Sequence, residues 1–252
     1  RLKKEVLKDL PDKIEKNMAA CMEQKQKELY HAHAQRLALM LQNQTEEEFA
    51  DSRFQVLSEL TRLRQLCCDP ALVYENYEGG SAKLDLCIEL IQSAVESGHK
   101  ILLFSQFTSM IEILTARLQE ESISCFVLQG STKKEQRAQM VEQFNRDDTS
   151  VFCISLKAGG TGLNLTGADI VIHYDPWWNV AVENQATDRA HRIGQKNVVT
   201  VYKLIAKGTI EEKIIKLQQM KKELAEEILS GDEIKTASFQ REELLELLEE
   251  WF

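Results

Sequence analysis

The chain has 252 residues, 28% of them charged, and a formal net charge of -9, a length that holds one large domain or two smaller ones and buries a sizeable core. No apolar run approaches the roughly 20 residues of a membrane span and no secretory signal opens the chain, so a cytosolic or nuclear location without a membrane partner is expected. The acidic balance excludes a surface that is basic overall, but twelve acidic against six basic residues lie from Gly208 onward, leaving the remainder only mildly acidic and able to carry a local track of phosphate donors.

From Arg1 to about Leu66, apolar residues three and four apart (Leu29, Leu37, Met40, Leu41) predict helix with an acidic break over 45–48. This part is expected to be a helical protrusion rather than core sheet. Residues 74–81, with Gly79-Gly80, predict a loop. Beyond it the pattern alternates: strand 100–104, helix 109–119, strand 125–128, helix 133–145, strands 151–155 and 170–174, helix 181–191, strand 198–204 and helix 210–229. Strands separated by helices imply an α/β fold, a parallel sheet covered on both faces. Thr132 with Glu135, and Thr209 with Glu212, each fit a capping box. Ile210, Ile214, Leu217, Leu224, Ile228 and Leu229 form one apolar stripe, read as core packing. The cluster Leu244, Leu245, Leu247 and Leu248 near Trp251 and Phe252 reads as a terminal amphipathic helix that docks on the body or binds a protein partner. Six cysteines without a C-x-x-C pair read as reduced core thiols, and His31 and His33 point to different helix faces, so no metal site is expected.

Chemistry concentrates in two stretches. In 185–195, Arg189 and Arg192 lie three apart on the predicted helix, so both guanidiniums face one target; a phosphate suits them, because the rigid fork donates bidentately and keeps its charge. Alone, that spacing also describes a solvated basic turn. Upstream, Ser155-Leu156-Lys157-Ala158-Gly159-Gly160-Thr161-Gly162-Leu163-Asn164-Leu165-Thr166 follows an apolar strand, with glycines that let backbone amides approach a ligand and side chains that donate to phosphate. No G-x-x-x-x-G-K-[ST] loop and no D-E-x-H box occurs in these residues. A dinucleotide site would want G-x-G-x-x-G after the first strand of this sheet, where Phe104-Ser105-Gln106 stands instead.

These two stretches, at this spacing and with a strand between them, resemble motifs V and VI of superfamily two helicases in the variant of the Swi/Snf family of double-strand DNA translocases and chromatin-remodelling ATPases. Leu10-Pro11-Asp12-Lys13 resembles that family's connector from the first motor lobe, and Leu63 to Pro70 its entry into the second. Residues 101–107 resemble motif IV, Leu128-Gln129-Gly130-Ser131-Thr132 the next DNA-facing loop, and Asp175-Pro176-Trp177-Trp178-Asn179 the aspartate-proline-tryptophan-asparagine turn. Gln129 and Val180 depart from the family's usual aspartate and proline, which bears on subfamily rather than function.

The resemblance implies a RecA-like second motor lobe: connector and helical protrusion over 1–66, the lobe over 67–207, and a brace with a terminal helix over 208–252. It implies Arg192 and Arg189 as an arginine finger, Gln185 and Gly160 beside the nucleotide, and Ser105, Gln106, Lys157, Thr161, Gly162 and Asn164 on the DNA backbone. Trp178 either touches DNA or packs as a core tryptophan. ATP with magnesium would bind only in the complete two-lobe motor, the first lobe preceding Arg1, and this chain alone would not hydrolyse it. Double-stranded DNA and the first lobe are the implied partners, in the nucleoid of a bacterium or the nucleus of a eukaryote. The alternative is a non-catalytic interaction module that keeps the lobe fold and binds protein through its helices.

Overall fold

In the computed structural model of the chain, residues 10–156, 158, 162–227 and 241–248 are described. The elements in order are β1 (Lys13–Ala20), α1 (Gln24–Gln42), α2 (Glu46–Cys68), a 3-10 turn (Pro70–Leu72), α3 (Ala82–Glu96), β2 (Ile101–Ser105), α4 (Thr108–Glu120), β3 (Cys125–Leu128), α5 (Lys134–Arg146), β4 (Val151–Ser155), β5 (Ile170–His173), α6 (Val180–Thr187), β6 (Val199–Ala206), α7 (Ile210–Glu227) and α8 (Arg241–Leu248). The chain divides into one unit of residues 1–20 with 83–205 and a second of 21–82 with 206–252.

The first unit is built on a six-stranded sheet in the order β1-β6-β5-β2-β4-β3. β2 pairs in parallel with both β4 and β5, β3 with β4, and β5 with β6, as the alternation of strands and helices predicts. β2, β4 and β5 are buried along their whole length, which is why they read as unbroken apolar runs: helices cover both faces and leave no polar side to alternate. One core cluster joins Phe104, Phe144, Phe152, Ile154 and Val171.

β1 corrects the expectation that the N-terminal part is helix outside the sheet. Lys13–Ala20 is an edge strand, mostly exposed, and its charged sequence KIEKNMAA carries neither an apolar alternation nor a buried run, as suits an edge guarded by lysine and glutamate. It is moored where the Val199 amide donates to the Asp12 carbonyl at 3.1 Å and His191 Nε2 hydrogen-bonds to the Pro11 carbonyl at 2.7 Å.

In the second unit, α1 and α2 form a helical pair as the spacing predicts. The acidic break is a full capping box: Thr45 Oγ1 accepts from the Glu48 amide while the Glu48 carboxylate accepts from the Thr45 amide. Arg241, opening α8, donates to the Leu41 carbonyl at 2.9 Å and the Gln42 carbonyl at 3.3 Å, a cation on the unpaired carbonyls at the end of α1. Leu244 and Leu248 are buried, so α8 docks on its own unit by that face. In α7, Ile210 and Ile214 are buried and Leu217 is half-buried; Ile228, Leu229, Trp251 and Phe252 lie outside the described residues. The Thr132–Glu135 capping box does not form: Thr132 Oγ1 accepts from the Gln129 amide, and Lys133 caps α5 without a side-chain bond. At α7 the Thr209–Glu212 box is shifted by one residue, with the Glu212 carboxylate on the Gly208 amide. All six cysteines are free, four of them buried.

His173, ending β5, is buried under Phe104, the rings stacked at 5.6 Å, and hydrogen-bonds Thr187 at 3.0 Å. Burial, against the opposing pull of Glu183, pushes its pKa from 6.5 down to about 4. The unfolded chain therefore takes up this proton first, and the stability it represents is complete above 6.5 and lost as pH falls toward 4. Between pH 7 and pH 5 the unfolding free energy is expected to fall by about 2 kcal/mol through this residue alone. Urea midpoints at the two pH values check it: His173→Phe should remove that share of the pH dependence, and an unchanged dependence would place the titrating group elsewhere.

Candidate functional site

Because the strands run parallel, the segments leaving β2, β3, β4 and β5 gather at one edge of the sheet, where ligands of open α/β sheets bind. Asp175, just past β5, organises it. The carboxylate is 1% exposed, accepts the Ser105 hydroxyl at 2.6 Å, and accepts the Gln106 amide at 3.3 Å. Ser105 is fully buried, which corrects the expectation that its side chain faces DNA: the hydroxyl holds Asp175, and Gln106 is the half-buried residue at that turn. Two residues on, the Trp177 amide donates to Glu183 at 2.7 Å, and Glu183 is paired with Lys203 at 2.7 Å. The tryptophan packed on the core cluster is Trp177; Trp178 beside it is half-buried.

The Gly-rich segment leaves β4. Lys157, Gly160 and Thr161 lie outside the described residues. Gly162 and Asn164 are exposed, and the described part of the segment is tied on two sides. On one side Asn145 of α5 donates to the Asn164 carbonyl at 2.8 Å and accepts the Gly167 amide at 2.9 Å. A Cβ on Gly167 would stand 3.1 Å from the Asn145 Cα, so a larger residue here would push α5 and this segment apart by a few tenths of an ångström.

On the other side stand the arginines, and here the structure departs from the helix expected through residue 191. α6 ends at Thr187. In a continuing helix the Arg189 carbonyl would take the Ile193 amide; it takes the Leu165 amide instead, at 3.0 Å. Residues 188–195 are successive turns, and Gly194 supplies the φ of +102° that leads back into the body. The backbone of Arg189 and the side chain of Arg192 nevertheless reach the Gly-rich segment. Arg192 is half-buried and donates from Nη1 to the Leu163 carbonyl at 3.3 Å. Arg189 is 6% exposed, and its buried Nε has no hydrogen-bond partner among the described residues. Burial first, then the neighbouring Arg192 charge, lower the Arg189 pKa. Neither guanidinium forms an ion pair among the described residues, so two like charges converge with donor capacity left over. That is a site for an anion able to accept several hydrogen bonds. Gln185 is exposed on α6.

Sequence reasoning missed three residues that support this edge. Gln195 is buried and bridges the arginine turns to the Gly-rich segment, donating from Nε2 to the carbonyls of Thr166, Ala168 and Ala190 and accepting from the amides of Lys196 and Asn197. Asn145 and Arg137 do the same from α5. Nothing in their spacing signals this, since the bonds that join the segments run to backbone atoms of Ala158, Asn164, Thr166, Gly167 and Ala168, far along the chain. Among the described residues no group of three or more His, Cys, Asp or Glu could hold a metal, and no helix is long and apolar enough to cross a membrane.

Residues 82–194 match the family model of the helicase conserved C-terminal domain, and residues 1–72 that of the SNF2-related domain. An uncharacterized ATP-dependent helicase of Mycoplasma pneumoniae is 41% identical over 99% of this chain and 24% of its own length. The chain spans about a quarter of the length of the first curated relatives it matches. Among solved structures, the C-terminal domain of the Sulfolobus solfataricus SWI2/SNF2 ATPase is 32% identical with a TM-score of 0.74, covering 94% of this chain and 98% of that one. The core of the same ATPase in complex with double-stranded DNA is 34% identical with a TM-score of 0.74, covering 90% of this chain and 48% of that one.

Proposed function

Because the chain belongs to the SWI2/SNF2 family of helicase-like ATPases, we propose that it is the second motor lobe of an ATP-dependent double-strand DNA translocase or remodeller, supplying the arginine finger and part of the DNA track. The observation that carries this reading is the pair of neighbouring arginines, Arg189 buried and Arg192 half-buried with its side chain on the Gly-rich segment, neither of which forms an ion pair among the described residues. The orphaned Arg189 Nε fits a phosphate acceptor, so the residues present suit ATP. Bound in a cleft between two lobes, ATP supplies the γ-phosphoryl group whose transfer drives the motor.

In this reading Arg192 stabilises charge developing on that group, with Arg189 behind it, and Gln185 and Gly160 stand beside the nucleotide. The phosphate loop and the magnesium-holding carboxylate do not occur in these 252 residues; they belong to a first lobe, without which this chain is inactive. Gln106, Lys157, Thr161, Gly162, Asn164 and Trp178 form the track on duplex DNA, reading phosphates rather than bases. The site of action is the nucleoid in a bacterium or the nucleus in a eukaryote. A second reading, a protein-interaction module on the lobe fold, is favoured by the exposed Leu39, Phe54 and Leu57 on the α1–α2 pair.

Duplex binding by the two-lobe protein separates the two. Lys157→Ala should weaken binding about equally on unrelated sequences and lower the salt slope by roughly one unit, as loss of one phosphate contact requires. Loss confined to one sequence would mean base readout, and binding insensitive to both Lys157→Ala and Thr161→Val would move the track elsewhere and favour the interaction module.

A further inference from the structure

Arg137, near the start of α5, uses its guanidinium entirely on backbone carbonyls of two loops. Nε donates to Thr132 at 2.8 Å, Nη2 to Gln129 at 3.2 Å and Gly130 at 3.1 Å, and Nη1 to Ala158 at 3.4 Å. The first three acceptors lie in the loop after β3; the fourth lies in the Gly-rich segment after β4. Ala158 is 4% exposed, and a carbonyl so placed needs a partner. Eight residues further along α5, about 12 Å at the helical rise, Asn145 fastens the far end of the same segment through Asn164 and Gly167. One helix thus grips both ends of the Gly-rich segment and, through Arg137, the neighbouring loop. None of the four carbonyls bound by Arg137 belongs to a strand, so this fork holds the shape of the loop edge rather than the sheet.

The geometry points to Arg137 as a positioning residue that ties the loop 129–132 to Ala158 at the start of the Gly-rich segment, so that the phosphate donors of the two loops meet a duplex backbone at fixed spacing. The inference rests on the DNA-tracking role proposed for those loops and adds how that track is kept in register. Arg137 itself need not touch DNA. A planar fork with five donors can serve two loops at once, whereas lysine has a single ammonium at the end of a flexible stem.

The test uses the two-lobe protein with Arg137→Gln and Arg137→Lys. In both, the duplex concentration giving half-maximal ATPase stimulation should rise by about tenfold, the scale of losing one or two charge-assisted bonds of preorganisation, while kcat at saturating DNA stays within about twofold. In the isolated chain, Arg137→Gln should speed hydrogen exchange over 129–132 and 156–168 and leave 101–105 and 151–155 protected. Unchanged half-stimulation, an equal fall in kcat, or full rescue by lysine would overturn the inference. Arg192→Ala is measured in parallel: if it retains full turnover, the motor reading itself fails, whereas a dead Arg192→Ala beside Arg137 variants of wild-type half-stimulation removes only the inference about Arg137.

Discussion

Replacing Arg192 by lysine in the two-lobe protein is expected to lower kcat for ATP hydrolysis by on the order of 10², and replacing it by alanine by 10³ or more, with the KM for ATP changed by less than about threefold. The reasoning starts from what the side chain does without nucleotide. Among the described residues the Arg192 side chain makes one hydrogen bond, of 3.3 Å to the Leu163 carbonyl, so its removal costs the fold on the order of 1 kcal/mol. A hundredfold loss in rate corresponds to about 2.7 kcal/mol and so exceeds what structural loosening supplies. Lysine keeps the charge and loses the planar fork, which makes the lysine variant the sharper probe. Steady-state kinetics with DNA present, beside a thermal melt of each variant, separates the two effects. Wild-type turnover in Arg192→Lys would return Arg192 to the status of a surface residue; a raised KM at unchanged kcat would make it a ground-state phosphate ligand.

The two arginines also mark where the sequence was legible and where it was not. Their residue types and their distance from the Gly-rich turn directed attention to this sheet edge, because few other patterns place two permanent cations opposite a glycine-rich exit from a buried strand. Their local geometry was hidden. Spacing over 181–191 fits a helix, but the Arg189 carbonyl bonds the Leu165 amide, an interaction across the sheet edge that overrides a local preference. The central strands were readable to within a residue at each end, since burial on both faces leaves continuous apolar runs such as Val151–Ser155. β1 was unreadable for the opposite reason: an exposed edge strand is specified by backbone pairing, to which Lys13–Ala20 contributes no side-chain signature. The same holds for Ser105, a good phosphate donor by residue type. Only the fold reveals that Asp175 stands 2.6 Å away and turns its hydroxyl inward.

Gln195→Leu should be among the most damaging single substitutions outside the apolar core. Leucine has nearly the same volume, so packing changes little. The amide it replaces has five partners: the two Nε2 hydrogens are shared among the carbonyls of Ala168 at 2.8 Å, Ala190 at 3.2 Å and Thr166 at 3.3 Å, and Oε1 accepts from the amides of Lys196 and Asn197 at 2.8 and 2.9 Å. The Ala190 carbonyl keeps the Arg192 amide at 3.1 Å and the Lys196 and Asn197 amides turn toward solvent, so the main loss falls on the buried Ala168 carbonyl and on the turns these bonds hold together, each backbone group left buried and unpaired costing about 1–3 kcal/mol. The groups share one site and relax together, so roughly 3–5 kcal/mol in total is expected rather than the sum. For a chain of this size that lowers the melting temperature by about 10 °C. Gln195→Glu discriminates this account from simple crowding. A carboxylate keeps the two bonds from Lys196 and Asn197 but sets a negative charge against three carbonyls, which raises its folded pKa above the unfolded value. Stability lost at neutral pH should then partly return, relative to wild type at the same pH, as the solution is acidified and the protonated acid donates one bond. Melting curves at pH 7.5 and 5.5 read this directly; equal losses for the glutamate variant at both pH values would show that the three carbonyls do not govern the site. Because the same amide ties the arginine turns to the Gly-rich segment, Gln195→Leu in the two-lobe protein should also lower kcat at temperatures well below its melt, when the turns that carry Arg189 and Arg192 are no longer held against that segment.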